Sequence, residues 1–413
     1  MNQATLANLL IYRNLLNDPI IAAQVAAPGV LTPQLSAELI AAAEQFGISG
    51  NLFQNYFIYQ LLQDSNLVTA ALEQSTAPIL APGLAAAFQH DMTLIADYLA
   101  QTSEPQTEYP FLADYTPSTP TLPESFVQLS HAAAEAVHAS DPVAALSCRL
   151  LAFYHQYGSG KISRYRGFRY QKDLGLIGIE HFDPISIDNL IGYERQKALL
   201  IANTEAFIQG LPSNHALLVG SRGTGKSSSV KAMINRYFRA GLRMVQISKD
   251  QLVDLGNIMA ELRSYQSKKF IIFLDDLSFE EHEVEYKSLK SAIDGGIEAA
   301  PPNVLIYATS NRRHLIKERW DDKVGDGQDI HRMDTINEKI SLSDRFGITI
   351  SYTAPNQKEF LAILEHLAEI NDLDITREEL REEAIKWEMT HSGRSGRTAQ
   401  QLITYLLGAR HEG

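Results

Sequence analysis

Apolar positions in the first hundred residues recur at helical spacing. Leu6, Leu9, Leu10, Tyr12 and Leu16 share one face of a 3.6-residue period, and Ala and Leu dominate to about residue 104. Thr32 followed by Pro33, with Gly47 closing the run, predicts a capped helix. Residues 105–123 break the pattern: Pro105, Pro110, Pro117, Pro120 and Pro123 stand among Thr and Ser. That composition predicts a linker or extended arm. A further Ala-rich helical stretch follows over about 125–157, and no internal repeat is visible.

From residue 183 the texture changes. Short, continuous apolar runs appear at 215–220, 243–248, 270–275, 304–310 and 349–353, with more polar, helix-like segments between most of them. Such runs predict a five-stranded parallel sheet covered on both faces. From about 357 the pattern is helical again, in KEFLAILEHLAEI, TREELREEAIKWEM and RTAQQLITYLL. The expected organisation is therefore α/β with helical flanks. A mainly α-helical N-terminal domain covers 1–157, a basic and aromatic connector 158–187, an α/β core 188–355 and a C-terminal helical lid 356–413.

Composition narrows the class. A chain of 413 residues suits two or three domains, and 45% hydrophobic with 21% charged residues is ordinary for a globular protein. No apolar run approaches the length of a membrane span, and the N-terminus lacks the basic cluster and cleavage site of a secretion signal. Cys148 is the single cysteine, so neither an internal disulfide nor a cysteine-based zinc site is available. Its neighbours Ala144, Ala145, Leu146, Leu150 and Leu151 place it on a buried helix face. A reducing, cytoplasmic setting fits.

Charge is uneven. The first 150 residues hold 13 acidic side chains and only Arg13 and Arg149 as bases, so they carry most of the net −13. That imbalance argues against the N-terminal part gripping a phosphate backbone.

The chemistry starts at GSRGTGKS, residues 220–227, with an apolar strand before it and a helix-like run after it. Gly220, Gly223 and Gly225 let backbone N–H groups curl around phosphate oxygens, and the helix directs its positive end at the same anion. Ser221, Arg222, Thr224 and Ser228 complete the nucleotide-binding loop. Lys226 would reach the β- and γ-phosphates and the Ser227 hydroxyl would ligate Mg²⁺. A second loop, GSGK at 158–161, lacks the first glycine and a preceding strand, and is rejected.

FIIFLDD, residues 270–276, is a buried strand ending in two carboxylates. Asp275 takes the position of a magnesium ligand. It lies about 50 positions after Lys226, enough for a helix, a strand and a helix to lay it beside the first strand. Asp276 stands where a water-activating glutamate is expected. It is one methylene shorter, and acts by position more than by basicity. Glu280 and Glu281 are alternatives. LIYATSNRRHL, 305–315, is a third strand whose polar end, Thr309, Ser310 and Asn311, faces the ligand crevice of a parallel sheet. Asn311 would orient the attacking water or touch the γ-phosphate.

These three elements, in this order, resemble the AAA+ ATPases, a superfamily of P-loop NTPases, over roughly 183–410. GSRGTGKSSSVK, FLDDLSFEE, YATSNRRHL and LSDRFG together are similar to a bacterial AAA+ family known as a domain of unknown function. The resemblance implies that Leu190, Ile191 and Gly192, in DNLIGYERQKALL, line an adenine pocket. It implies that Arg345, in SDRFG at 343–347, is an arginine finger reaching a neighbouring subunit's γ-phosphate. An arginine supplied in trans contributes about 10³–10⁵ in rate; the bland alternative is a surface ion pair to Asp344. It further implies a nucleotide-sensing arginine in SGRSGRTAQQL, Arg397 first and Arg394 second.

Two features depart from the protein-threading members of that superfamily. SKDQLVDLGN, after the second strand, carries no aromatic pore residue, and KERWDDKVGDGQDIHRMDTINEK (317–339) is a long polar insertion in which His331 reads as a solvated loop histidine. KISRYRGFRYQK (161–172) mixes five bases with Tyr165, Phe168 and Tyr170. It serves either to stack and hold nucleic acid or to pack one module onto another, and packing is favoured. The expected protein is a Mg-dependent ATPase, acting as a homo-oligomer that remodels a protein partner held by the N-terminal domain. A nucleic-acid loader and a slow ATP-binding switch or scaffold are the alternatives.

Overall fold

The computed structural model describes residues 6–26, 32–102, 108–118, 122–279, 284–294, 299–311, 344–391 and 393–410. The chain divides into two compact units. The first takes residues up to Tyr165 together with Ser264–Lys268; the second takes Arg166–Arg263 and the chain from Lys269 onward.

The first unit is helical: α1 Pro19–Ala26, α2 Pro33–Phe46, α3 Leu52–Gln63, α4 Leu67–Glu73, α5 Pro82–Gln101, α6 Glu124–Val137, α7 Pro142–Tyr157 and α8 Gly160–Arg164. Local chemistry sets their ends. The Thr32 hydroxyl accepts from the Leu35 N–H, and Gly47 closes α2 in the left-handed conformation at φ 74°. Asn66 and Thr69 form a reciprocal cap on α4. The Ala-rich stretch expected over 125–157 is two helices, because Asp141 caps a new start at Pro142. Tyr12, Phe57, Leu62, Ile95, Leu150 and Tyr154 are buried in this unit.

Two details of the unit bear on the sequence reading. Cys148 is exposed, not buried. The buried stripe of α7 runs through Leu146, Ser147, Leu150, Phe153, Tyr154 and Tyr157, and at 100° per residue position 148 falls on the opposite face. The rejected GSGK loop holds an anion of the chain's own: the Ser159 N–H and hydroxyl donate to Glu73 Oε1 at 2.8 and 3.0 Å. In the returning segment, Lys268 is fully buried. Its ammonium donates to the Ser267 hydroxyl at 2.9 Å and to the carbonyls of Tyr154, at 3.4 Å, and His155.

The second unit is built on one sheet: β1 Gly167–Gln171, β2 Gly175–Gly178, β3 Ala216–Gly220, β4 Leu242–Ile247, β5 Lys269–Leu274, β6 Val304–Ser310 and β7 Ile348–Tyr352. Its described helices are α9 Glu194–Ile208, α10 Lys226–Tyr237, α11 Leu255–Arg263, α12 Val284–Asp294, α13 Gln357–Ile370, α14 Arg377–Thr390 and α15 Gly396–Arg410. The strand order is β2-β1-β4-β5-β6-β3-β7, parallel throughout except for the β1–β2 hairpin. The α/β class is as expected, but the sheet has seven strands rather than five. The extra two come from the connector, where Phe168 and Tyr170 turn inward and Arg169 and Gln171 outward along β1. A second correction concerns β5, which does not lie beside β3; β6 is inserted between them. The C-terminal helices close a core of their own around Phe360, Leu364, Ala399, Leu402 and Ile403. Among the described residues no helix is long and apolar enough to cross a membrane.

His215 ties the start of β3 into the sheet. Its Nδ1 accepts the Ile306 N–H at 2.9 Å, and burial pushes its pKa down to about 4 from the ordinary 6.5. Protonation therefore favours the unfolded chain. The stabilisation is complete above about pH 6.5 and is lost as pH falls toward 4. Unfolding free energy at pH 5 should lie about 2 kcal/mol below its value at pH 7.5 from this group alone. His215→Asn, which keeps an acceptor and removes the titration, should flatten that part of the profile in urea denaturation. An unchanged profile would contradict the assignment.

Candidate functional site

The site begins where β3 runs out. Gly220 has φ 139°, and a Cβ on it would lie 1.8 Å from the carbonyl oxygen of Tyr352. The Ser221 N–H donates to that same carbonyl at 3.2 Å, so the end of β7 sets the base of the loop. Gly223 and Gly225 adopt φ 74° and 85°, which curls the loop toward the start of α10. Lys226, only 6% exposed, donates to the carbonyls of Gly220 (3.0 Å) and Ser221 (2.7 Å) and to Asn311 Oδ1 (3.1 Å). Burial pushes its pKa down, and the carboxylates of Asp276 and Asp275 oppose that shift.

The two carboxylates follow β5. Asp275 Oδ1 accepts from the Ser227 and Thr309 hydroxyls, both at 2.6 Å. Asp276 sits at φ 52°, left-handed for a non-glycine residue, with its N–H on Thr309 Oγ1 at 2.9 Å. Its Oδ1 accepts from Asn311 Nδ2 at 2.5 Å. Asn311 thus stands between Lys226 and Asp276, one end of its amide on each.

These groups open onto a cleft of about 700 Å³. Arg222, Thr224 and Ser228 lie on its wall beside Lys226 and Ser227. Leu190, Ile191 and Tyr193 form one apolar side, and Ile363 and Leu367 of α13 another, with Arg397 and Gln400 reaching in from α15. Gly192, at φ 80°, forms the turn between Ile191 and Tyr193 without itself reaching the wall. Gly220 and Ser221 underlie the loop. The start of α15 touches the loop directly: the Arg397 N–H donates to the Gly223 carbonyl at 3.4 Å.

Other expected site residues lie elsewhere. Arg394 pairs with Glu388 at 2.9 Å and is not on the wall. Arg345 also lies off the wall, in an ion pair with Asp294 at the end of α12 rather than with Asp344. Glu280, Glu281, Ser343 and the 317–339 insertion with His331 fall outside the described residues. Reading the sequence placed Thr309 at the crevice end of its strand without giving it a role, and it missed Tyr193, Ile363, Leu367 and Asp294.

Ser227 and Asp275 place a hydroxyl and a carboxylate oxygen 2.6 Å apart at the mouth of the 220–227 loop. Oxygen donors of this kind suit a hard cation such as Mg²⁺, which is typically held by one or two protein oxygens plus phosphates.

The family model described as "Protein of unknown function (DUF815)" matches residues 163–410. The chain belongs to this family. The DUF815 match starts beside β1 and takes in every residue of the cleft. No curated protein matches the chain. Among solved structures it is similar to the RuvB Holliday junction branch migration motor of Thermotoga maritima, at 21% identity and a TM-score of 0.37, over 54% of this chain and 63% of that one. It thus spans less than two thirds of the RuvB chain. It is also similar to the FIGL-1 AAA domain in complex with ADP, at 19% identity and a TM-score of 0.39, over 55% of this chain and 75% of that one.

Proposed function

We propose that this DUF815 protein binds Mg-ATP between its sheet and its C-terminal helices and hydrolyses it. One observation carries the reading: a single cleft gathers Lys226, the Ser227–Asp275 oxygen pair, Asp276 and Asn311, joined through Thr309 in one hydrogen-bond chain. Phosphoryl transfer needs positioning and charge stabilisation more than covalent chemistry, and this set provides both.

In this reading the apolar walls, Leu190 and Ile191 on one side and Ile363 and Leu367 on the other, hold the base. The backbone of the loop cradles the phosphates, and Lys226 exchanges its carbonyl partners for phosphate oxygens. Ser227 and Asp275 would hold magnesium, which would supply positive charge against the phosphates. Asp276 accepts a proton from the attacking water, and Asn311, released from Lys226, orients that water. Arg397 follows the phosphates from the lid. Arg345 would serve a neighbouring subunit after leaving Asp294, which makes a homo-oligomer the working form.

We also propose a cytoplasmic setting, with the first unit holding a protein partner. A nucleic-acid ligand is disfavoured by β1, because Phe168 and Tyr170 are buried in the sheet and do not offer faces for base stacking. A slow switch is the second reading, favoured by the short Asp276 carboxylate already engaged by Asn311.

Asp276→Asn tests the assignment. ATP turnover should fall by about 10²-fold or more, the usual contribution of a general base, while affinity for a fluorescent ADP analogue stays within about threefold. Turnover equal to wild type, with nucleotide still bound, would remove Asp276 from the chemistry and leave the switch.

A further inference from the structure

We infer that Thr309 is a positioning residue that aims both carboxylates, through one hydroxyl; the inference rests on the hydrolysis reading above. All seven residues of β6 are buried, and Thr309 is 2% exposed. A buried hydroxyl is unfavourable unless its hydrogen-bonding capacity is used. Here the O–H donates to Asp275 Oδ1 at 2.6 Å and the oxygen accepts the Asp276 N–H at 2.9 Å.

The position explains the need. Pairing of β5 with β6 runs through Leu274 and Ala308 and goes no further. One residue on, the chain must leave the sheet and turn at Asp276 with φ 52°. Thr309 replaces the missing ladder with side-chain bonds. Its carbonyl also accepts the Leu277 N–H at 2.7 Å, and the neighbouring Ser310 hydroxyl donates to the Leu277 carbonyl at 2.8 Å. The turn is therefore clamped from both sides of Asp276.

Two donors, Ser227 and Thr309, meet on the same oxygen of Asp275 and fix the rotation of that carboxylate. The bond to the Asp276 N–H fixes the backbone that carries the second carboxylate. One side chain thereby sets the orientation of the cation-binding group and the placement of the water-activating one. Residues that orient metal ligands in this way typically change metal affinity or activity by about 10–100-fold when altered.

The test compares Thr309→Val, which keeps the shape and deletes the hydroxyl, with Thr309→Ser, which keeps the hydroxyl and deletes a methyl. The first readout is the gain in affinity for a fluorescent ADP analogue on adding Mg²⁺ to EDTA-treated protein. The second is ATP turnover. In Thr309→Val both should fall at least about tenfold, with metal-free ADP affinity within about threefold of wild type. Thr309→Ser should keep both within about threefold. A Val variant with wild-type Mg²⁺ dependence and turnover would overturn the proposal. Equal losses in Val and Ser would overturn it too, since the methyl and not the hydroxyl would then matter. Should the Val variant fail to fold, Thr309→Ala, which leaves room for water at the Asp276 N–H, is judged by the same two readouts. If wild type shows no turnover that depends on Lys226, the hydrolysis reading fails, and the Mg²⁺-linked ADP affinity still decides whether Thr309 orients Asp275.

Discussion

Lys226→Ala should lower ATP turnover by at least about 10²-fold, the scale seen when one preorganised donor is removed from a developing negative charge. The lysine is almost completely enclosed, and its three acceptors define where a phosphate oxygen must arrive to replace them. Asp275 and Asp276 favour its charged form against the pull of burial. The variant should not be much less stable on its own, because the Ser221 carbonyl keeps the Thr224 hydroxyl at 2.9 Å and Asn311 keeps its bond to Asp276. Melting temperature without nucleotide should stay close to wild type, while the rise on adding ADP disappears. Undiminished turnover in this variant would sink the ATPase reading as a whole.

Gly220→Ala is expected to be the most damaging single methyl in the second unit. The new Cβ would sit 1.8 Å from the Tyr352 carbonyl oxygen, and the φ of 139° is one that side-chain-bearing residues rarely adopt. Both partners are backbone, so no rotamer change relieves the clash. The end of β3 must separate from β7, which breaks the Gly220–Tyr352 pairing and the Ser221 N–H bond beneath the loop. A loss of more than about 3 kcal/mol is expected, from strain and lost hydrogen bonds together. The measurement is soluble yield and urea midpoint. The contrast is Gly408→Ala in α15, where an added Cβ meets nothing within 4 Å and helix propensity favours alanine by up to about 1 kcal/mol. Equal behaviour of the two variants would mean that the close approach at Gly220 is not what holds the loop.

The central strands were legible because each is a continuous apolar run; their ends were readable to within one residue. β1 and β2 were not. Both are short, β1 carries Arg169 and Gln171 on its outward face, and the pairing of β1 with β4 is a long-range event that no local period records. The same limit applies to the insertion of β6 between β5 and β3. Cys148 shows a different failure: apolar neighbours suggest burial, but the phase of the helix decides it. In the site, Lys226, Ser227, Asp275 and Asn311 were readable because the motif that places each is local in sequence. Ile363 and Leu367 were not, since an apolar residue on a helix looks the same whether it faces a core or a cleft. Asp294 became a partner of Arg345 only through the meeting of two distant segments.

The first unit draws on two stretches of chain, and this bears on how the protein can be cut and inherited. A fragment beginning at Arg166 looks like a clean excision, yet it retains Ser264–Lys268. Lys268 would then lose the carbonyls of Tyr154 and His155 that surround its ammonium, and the Ser267 N–H would lose the Glu73 carbonyl it binds at 2.9 Å. The helical unit is therefore not a cassette that can be exchanged at one junction. A swap that succeeds must carry the five-residue loop with it, so two segments far apart in the gene are bound to change together.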